Sequence, residues 1–454
     1  MLKLYNTFTH QAEDFKPISK RRVGLYSCGP TVYWYQHVGN LRTYIFSDIL
    51  KRVLEYKGFK VKHVINVTDV GHLTSDADTG EDKMERAAAK EGKTAKQISN
   101  FYLKAFQNDF RKLNIQKPNV WAKATENIKA QIALIKKLQD RGFTYKTSDG
   151  IYFDTSRFKD YGKMARLNKE GLEGGKRTEL REKKNITDFA LWKFSDNPGQ
   201  RQQEWPSPWG VGFPGWHIEC SAMSMKFLGD TFDVHTGGED HISIHHSNEI
   251  AQSEAATGKK FVNYWLHGAF LNYKGEKVSK SKGGLFTVSE LDQQGFEPLA
   301  FRYLCLTAHY RSPLDFSLES LENAKNSYER LKNIIFEIKD DKKTNEKYLG
   351  EFDEAISEDL DMPKALAVLW NLVRDKGASG KVRTIKKMDS VLGLELFKQE
   401  RFQIPAKVSR LVNERERARI EKNFNQADNL RQEIETLGFS VKDTDAGPEI
   451  KRKT

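Results

Sequence analysis

The side chains with the most chemistry in this chain fall in two stretches and one separate position. Pro214-Gly215-Trp216-His217-Ile218-Glu219-Cys220 carries a thiol, and His245-His246-Ser247-Asn248-Glu249 carries two imidazoles and a carboxylate. On a helix His245 and Glu249 stand one turn apart on the same face, and both are metal-ligand types. Cys220 lies near the start of another helical pattern, and Cys28 closes the first predicted strand. In a split parallel sheet, strand ends and the helix starts that follow them gather on one edge, so Cys28, Cys220, His245 and Glu249 can meet around one ion. Such a set suits Zn²⁺, which accepts sulfur, nitrogen and oxygen ligands. No CxxC spacing gathers these residues, so two inert buried thiols and a surface histidine pair are the competing reading. His235, His241 and His246 add further imidazoles that can reach a metal there, whereas Cys305, inside Tyr303-Leu304-Cys305-Leu306, reads as a packed core residue.

Two other stretches suit phosphate chemistry. His37-Val38-Gly39-Asn40 follows the Gly29-Pro30 turn and immediately precedes a helical run, where backbone N–H groups and the helix dipole favour phosphate oxygens. Lys277-Val278-Ser279-Lys280-Ser281-Lys282-Gly283-Gly284 is a cationic loop able to close over charge developing on a phosphate. A helix-capping histidine and a solvated basic loop are the ordinary alternatives.

The elements that must position these residues are legible in outline. Val23 to Cys28, a helix from about Leu41 to Tyr56 and Phe59 to Val67 read as a βαβ opening. Helical patterns follow from Lys83 to about Leu113 and from Glu126 to Arg141, and Phe143 to Asp154 reads as a hairpin around Asp149-Gly150. Arg157 to Gln203 has little periodicity and reads as an inserted, partly irregular module. Alternating strand and helix then resume: a helix at His217 to Phe227, a strand at Thr231 to His235, a helix at His245 to Ala256, and a strand at Tyr264 to Leu271. Beyond Arg311 the pattern is helical only, with runs at Leu318 to Ile338, Phe352 to Arg374 and Lys407 to Leu437.

Taken together, HVGN at the first strand–helix junction and KVSKS after the last strand resemble the HIGH and KMSKS motifs of class I aminoacyl-tRNA synthetases. The resemblance implies catalytic roles for His37, Asn40, Lys277 and Lys280. His37, Gly39 and Asn40 would meet the ATP phosphates, and Lys280 would hold them in the transition state. Within that class the Cys28, Cys220, His245 and Glu249 arrangement resembles the zinc site of cysteinyl-tRNA synthetases. Asn66-Val67-Thr68-Asp69, Gly237-Gly238-Glu239-Asp240 and Trp205-Pro206-Ser207-Pro208-Trp209-Gly210 extend the likeness. Thr68 and Trp216 are then candidates for shaping the amino-acid pocket, and Gly237, Gly238 and Asp240 for approaching the adenosine, an ordinary turn being the alternative for the last three. The chain departs from the family pattern at Asn40, where HIGH has histidine, at Ser247, where glutamate is common, and across Asp240 to Ile244.

The resemblance implies an α/β fold: a split Rossmann-like catalytic domain with an inserted connective module, then all-helical C-terminal domains. The expected boundaries are 1–120 and 205–310 for the two catalytic halves, 121–204 for the insert, 311–400 for a helical bundle, and 401–454 for a small tRNA-binding region. The implied activity is ATP-dependent ligation of L-cysteine to its tRNA through cysteinyl-adenylate, with one zinc ion per chain and Mg²⁺ accompanying ATP. Two rivals are a ligase passing activated cysteine to an amino sugar and a non-catalytic RNA-binding relative. The helical C-terminal extension argues against the first, and retention of His37, Lys280 and all four metal candidates against the second.

Composition agrees. A formal charge of +12 suits a polyanionic partner, and three scattered cysteines cannot frame a chain of 454 residues with disulfides. No stretch approaches the roughly 20 apolar residues of a membrane span, and the N-terminus lacks a secretory pattern. A monomer in the cytoplasm is the expectation. In the last third Arg410, Arg415, Arg417, Arg419, Lys422 and Arg431 can meet tRNA, though interleaved glutamates also allow a salt-bridged solvent face.

Overall fold

A computed structural model describes residues 1–71, 82–167, 182–273, 276–277, 286–398, 405–444 and 447–452. Two compact units divide the chain, Met1–Phe397 and Lys398–Thr454.

The first unit is built on five parallel strands in the spatial order Val262–Gly268, Phe232–Gly238, Arg22–Ser27, Lys60–Val67 and Val120–Lys123. The middle strands are almost wholly buried, as expected where helices cover both faces of a sheet. Arg22–Ser27 and Phe232–Gly238 are neighbours in space, pairing Leu25 with Val234 and Ser27 with Thr236. Chain order reverses between them, and such a switch point opens a crevice at the carboxyl ends of the strands.

Helix Val38–Tyr56 follows the first of these strands and starts with a reciprocal capping box: His37 accepts from the Asn40 N–H while the Asn40 side chain accepts from that of His37. Its interior carries Asp48, whose carboxylate accepts from Arg52 and from Arg302, each at 2.7 Å. Arg302 also donates to the Leu392 and Leu113 carbonyls, tying helix Pro298–Leu306 to the end of helix Lys381–Leu392.

A second, antiparallel sheet is formed by Thr144–Lys146, Gly150–Phe153, Phe189–Phe194 and Gly212–Pro214, in that order, the last strand lying beyond the 121–204 expected for an insert. Among the described residues its Phe153, Phe189 and Trp192 share one apolar cluster with Ile218, Met223, Phe232 and Trp265.

Three helical runs that look continuous in sequence are broken. The first stops at Gly92, in the left-handed region, and restarts at the Thr94 cap, giving Lys83–Glu91 and Ala95–Lys112. Positive φ at Asp359 and Leu360 separates Glu346–Ser357 from Met362–Arg374, and at Lys422 separates Ala406–Ile420 from Phe424–Thr436. The helices-only reading beyond Arg311 also missed three strands. Leu314–Phe316 joins Leu271–Tyr273 and Glu276–Lys277 in a small sheet, and Phe439–Thr444 pairs with Gly447–Arg452 in an antiparallel hairpin. That hairpin belongs to the second unit, whose core is Val408, Leu411, Val412, Ile434, Phe439 and Val441.

Candidate active site

The crevice at the switch point is a cavity of about 410 Å³, lined by residues from both catalytic halves, among them Cys28, His37, Asn40, Trp216, Cys220, Gly237, Gly238, Asp240 and His245. Close backbone approach sets its floor. The Cys28 N–H donates to the Thr236 carbonyl at 3.1 Å, locking the end of one strand onto its neighbour. Gly29 has no room for a side chain: a Cβ there would lie 1.6 Å from the Asn66 carbonyl oxygen.

Four of the predicted ligand types come together. Cys28, Cys220, His245 and Glu249 are buried, with one ligand atom from each within 4.8 Å of the others. Helix Trp216–Leu228 brings Cys220 on its first turns, and a five-residue π-helical turn, Ile242–His246, leads into helix Ser247–Thr257. That turn aims His245 Nε2 at Glu249 Oε1, 3.0 Å away. A second grouping, Cys28, His235, His246 and Glu249, meets the same distance test. The two share Cys28 and Glu249 and differ in access, because Cys28, Cys220 and His245 line the cavity whereas His235, His246 and Glu249 do not. The first grouping thus has three members on the cavity wall and the second has one, so the first is the better placed to present an open coordination position to a small molecule. His235 and His246 instead hold the shared members, through His235 Nε2 to Glu249 Oε2 at 3.1 Å and His246 Nε2 to Cys28 Sγ at 3.2 Å. His246 Nδ1 is in turn 2.7 Å from His267 Nε2.

The electrostatics of the cluster follow from burial and mutual charge. Desolvation, reinforced by Cys220 and Glu249, pushes the Cys28 thiol up, while the hydrogen bond from Cys28 and the nearby His245 hold Cys220 down against burial. Burial alone would lower His245, but Cys220 and Glu249 raise it to about 10. Burial alone would raise Glu249, but His235 and His245 bring it down to about 2. Burial and surrounding imidazoles keep His246 and His267 well below the usual histidine range. Two thiols, an imidazole and a carboxylate, desolvated and converging beside a cavity, fit a zinc ion.

The other predicted residues divide. His37 and Asn40 line the cavity at the N-terminus of their helix, and a Cβ on Gly39 would crowd the His37 ring at 3.0 Å. Gly237 and Gly238 end the strand Phe232–Gly238 against the same space, and a Cβ on Gly237 would lie 2.6 Å from the His246 ring. The Trp216 ring packs against that of His245, with centroids 4.3 Å apart and planes tilted by 34°. Thr68 is not on the cavity wall; it is buried, donates to Glu219 Oε2 at 3.0 Å, and ties the strand end to the Pro30–Val32 loop through backbone bonds. Lys277 lies in strand Glu276–Lys277, paired with Asn272, and Lys280 falls outside the described residues. The supporting imidazoles of His217 and His267, and the aromatic wall of Tyr33, Trp34 and Tyr35, were missed from sequence because no spacing marks them.

A parallel sheet split at its switch point, with a histidine-capped helix and glycine-ended strand around one cavity, is the arrangement of class I aminoacyl-tRNA synthetases. A solved Mycobacterium tuberculosis methionyl-tRNA synthetase in complex with methionyl-adenylate shares the fold, with a TM-score of 0.57 and 15% identity over 82% of this chain and 88% of that one. The family model of the class I (C) tRNA synthetase catalytic domain matches residues 14–326, and that of the cysteinyl-tRNA ligase anticodon-binding domain matches 402–449. Among relatives, a cysteine–tRNA ligase 1 of Burkholderia lata is 50% identical over 99% of this chain and 96% of its own length. A cysteine–tRNA ligase of Treponema denticola is 43% identical over 97% and 98%. The chain belongs to the cysteinyl-tRNA synthetase family. No helix among the described residues is long and apolar enough to cross a membrane.

Proposed function

We propose that this chain activates L-cysteine with ATP and transfers it to tRNA, holding a zinc ion with Cys28, Cys220, His245 and Glu249. The observation that carries this reading is a single cavity whose wall holds both the sulfur-rich cluster and the His37–Asn40 helix start. Zinc bound there would supply a soft Lewis acid that favours the thiol of cysteine over the hydroxyl of serine, a distinction that size alone makes poorly. Trp216, packed against His245, closes the side of the amino-acid pocket. On the adenosine side Gly237 and Gly238 let the ligand approach the backbone, and Asp240 accepts a hydrogen bond.

The cysteine carboxylate attacks the α-phosphate of Mg²⁺-bound ATP and expels pyrophosphate. His37, Asn40 and the helix N-terminus receive phosphate oxygens, with Lys277 and Lys280 stabilising the charge that develops. A terminal ribose hydroxyl of tRNA then attacks the activated carbonyl and AMP departs.

The test is transfer of labelled cysteine to total tRNA, beside a serine control and a chelated sample. Cysteine-specific charging lost on chelation is expected. Cysteine-dependent ATP–pyrophosphate exchange without any charging would reassign the acceptor to a small amine, and loss of both from folded protein would defeat the reading.

A further inference from the structure

A contiguous aromatic patch leads outward from the cavity. Trp34, Tyr35 and Phe101 are 47%, 41% and 45% exposed, although each is large and apolar. All three pack around Tyr102, at centroid distances of 5.8, 5.0 and 5.1 Å, and Tyr102 is itself buried and fixed by donating to Glu91 Oε1 at 2.7 Å. Trp34 and Tyr35 form part of the cavity wall and Phe101 does not, so the patch runs from the mouth to the outer surface. Ammonium groups flank it, with Lys90 Nζ 5.8 Å from the Trp34 ring and Lys93 Nζ 5.0 Å from that of Phe101.

Scattered exposed rings need no explanation, but a contiguous set held open to water marks a recognition surface. Flat aromatic faces interleaved with lysines match one chemistry closely: unpaired nucleobases on a phosphate chain, where each ring stacks a base and each ammonium meets backbone charge. We infer that Trp34, Tyr35 and Phe101, with Lys90 and Lys93, bind the unpaired 3′ nucleotides of the acceptor RNA. The inference rests on the tRNA-charging reading above. The terminal ribose must enter the cavity to react, so the nucleotides just before it must cross this mouth.

Phe101→Ala tests the inference, because the side chain is half exposed and lies outside the cavity wall. Full-length protein carrying this change should show a KM for tRNA raised on the order of tenfold, the scale of losing one base stack, with cysteine-dependent pyrophosphate exchange at the wild-type rate. Phe101→Tyr should restore the KM. The affinity of tRNA stripped of its unpaired 3′ nucleotides should be the same for wild type and Phe101→Ala. A wild-type KM in Phe101→Ala, an equal loss of affinity for the stripped tRNA, or a change in molar mass by light scattering with KM unaltered would each overturn the assignment. The last would give the patch to self-association. Wild-type protein that performs exchange but charges no tRNA would remove the underlying reading, and the assignment with it.

Discussion

His245 Nε2 stands 3.0 Å from Glu249 Oε1, with both side chains almost wholly withdrawn from water. A π-helical turn followed by an α-helix delivers the pair, and Cys28 and Cys220 complete the cluster from a strand end and a second helix. Glu249→Gln and Cys220→Ser should therefore each weaken zinc binding at least about tenfold in competition with a chromogenic chelator. Each should also narrow the preference for cysteine over serine in pyrophosphate exchange. Full zinc retention in both variants would move the metal to another set of ligands.

Asp48 and Arg302 form a fully buried ion pair that joins the first catalytic helix to the helical bundle. Removing one partner leaves the other charge stranded, so Asp48→Ala should cost about 3–5 kcal/mol. A thermal unfolding midpoint that did not move would show that the pair carries no net stability.

Asp109 is buried on helix Ala95–Lys112, and burial, partly opposed by Lys112, raises its carboxyl to about 7 from the ordinary 3.8. The unfolded chain ionises this group first as pH rises. The folded state thus loses stability progressively between about pH 4 and pH 7, with a limit on the order of 4 kcal/mol, and none is lost below that window. Asp109→Asn should be more stable than wild type at pH 8 and indistinguishable from it at pH 4 in urea titrations. A constant difference across that range would contradict the assignment.

In the second unit the basic residues are not equivalent. Arg415 is buried and makes two hydrogen bonds to Asp443, at 2.8 and 3.0 Å, while Arg417 and Lys422 are exposed. Arg417→Ala should weaken tRNA binding and make it less salt-dependent, whereas Arg415→Ala should act through stability. Filter binding at two salt concentrations, with a melting curve for each variant, separates the effects.

The alternation of strands and helices was legible because short stretches carrying Val, Ile, Leu, Tyr or Phe, in Arg22–Ser27, Lys60–Val67 and Phe232–Gly238, are bounded by glycine or polar turns. The helix breaks at Asp359 and Lys422 were not, since non-glycine residues in the left-handed region leave little mark in sequence. The C-terminal hairpin was hidden by lysines and acids outnumbering Val441 and Ile450. At the site, types and helical spacing pointed to His245 and Glu249. The shell around them could not be read, because His267, on strand Val262–Gly268, meets His246, on the turn Ile242–His246, only in the folded chain, and Thr68 turned inward to Glu219.

The hydroxyls of Ser27 and Thr236 lie 2.7 Å apart although 209 residues separate them in the chain. During synthesis the first half of the sheet is therefore complete long before the strand that must flank Arg22–Ser27 has been translated. Until then one edge of the nascent sheet and the Cys28 thiol remain unprotected, an invitation to mispairing and oxidation. Convergence of Cys28 with Cys220, His245 and Glu249 is thus a late event in the life of each new molecule, and a metal taken up by those four side chains would report that translation has passed the second half of the sheet.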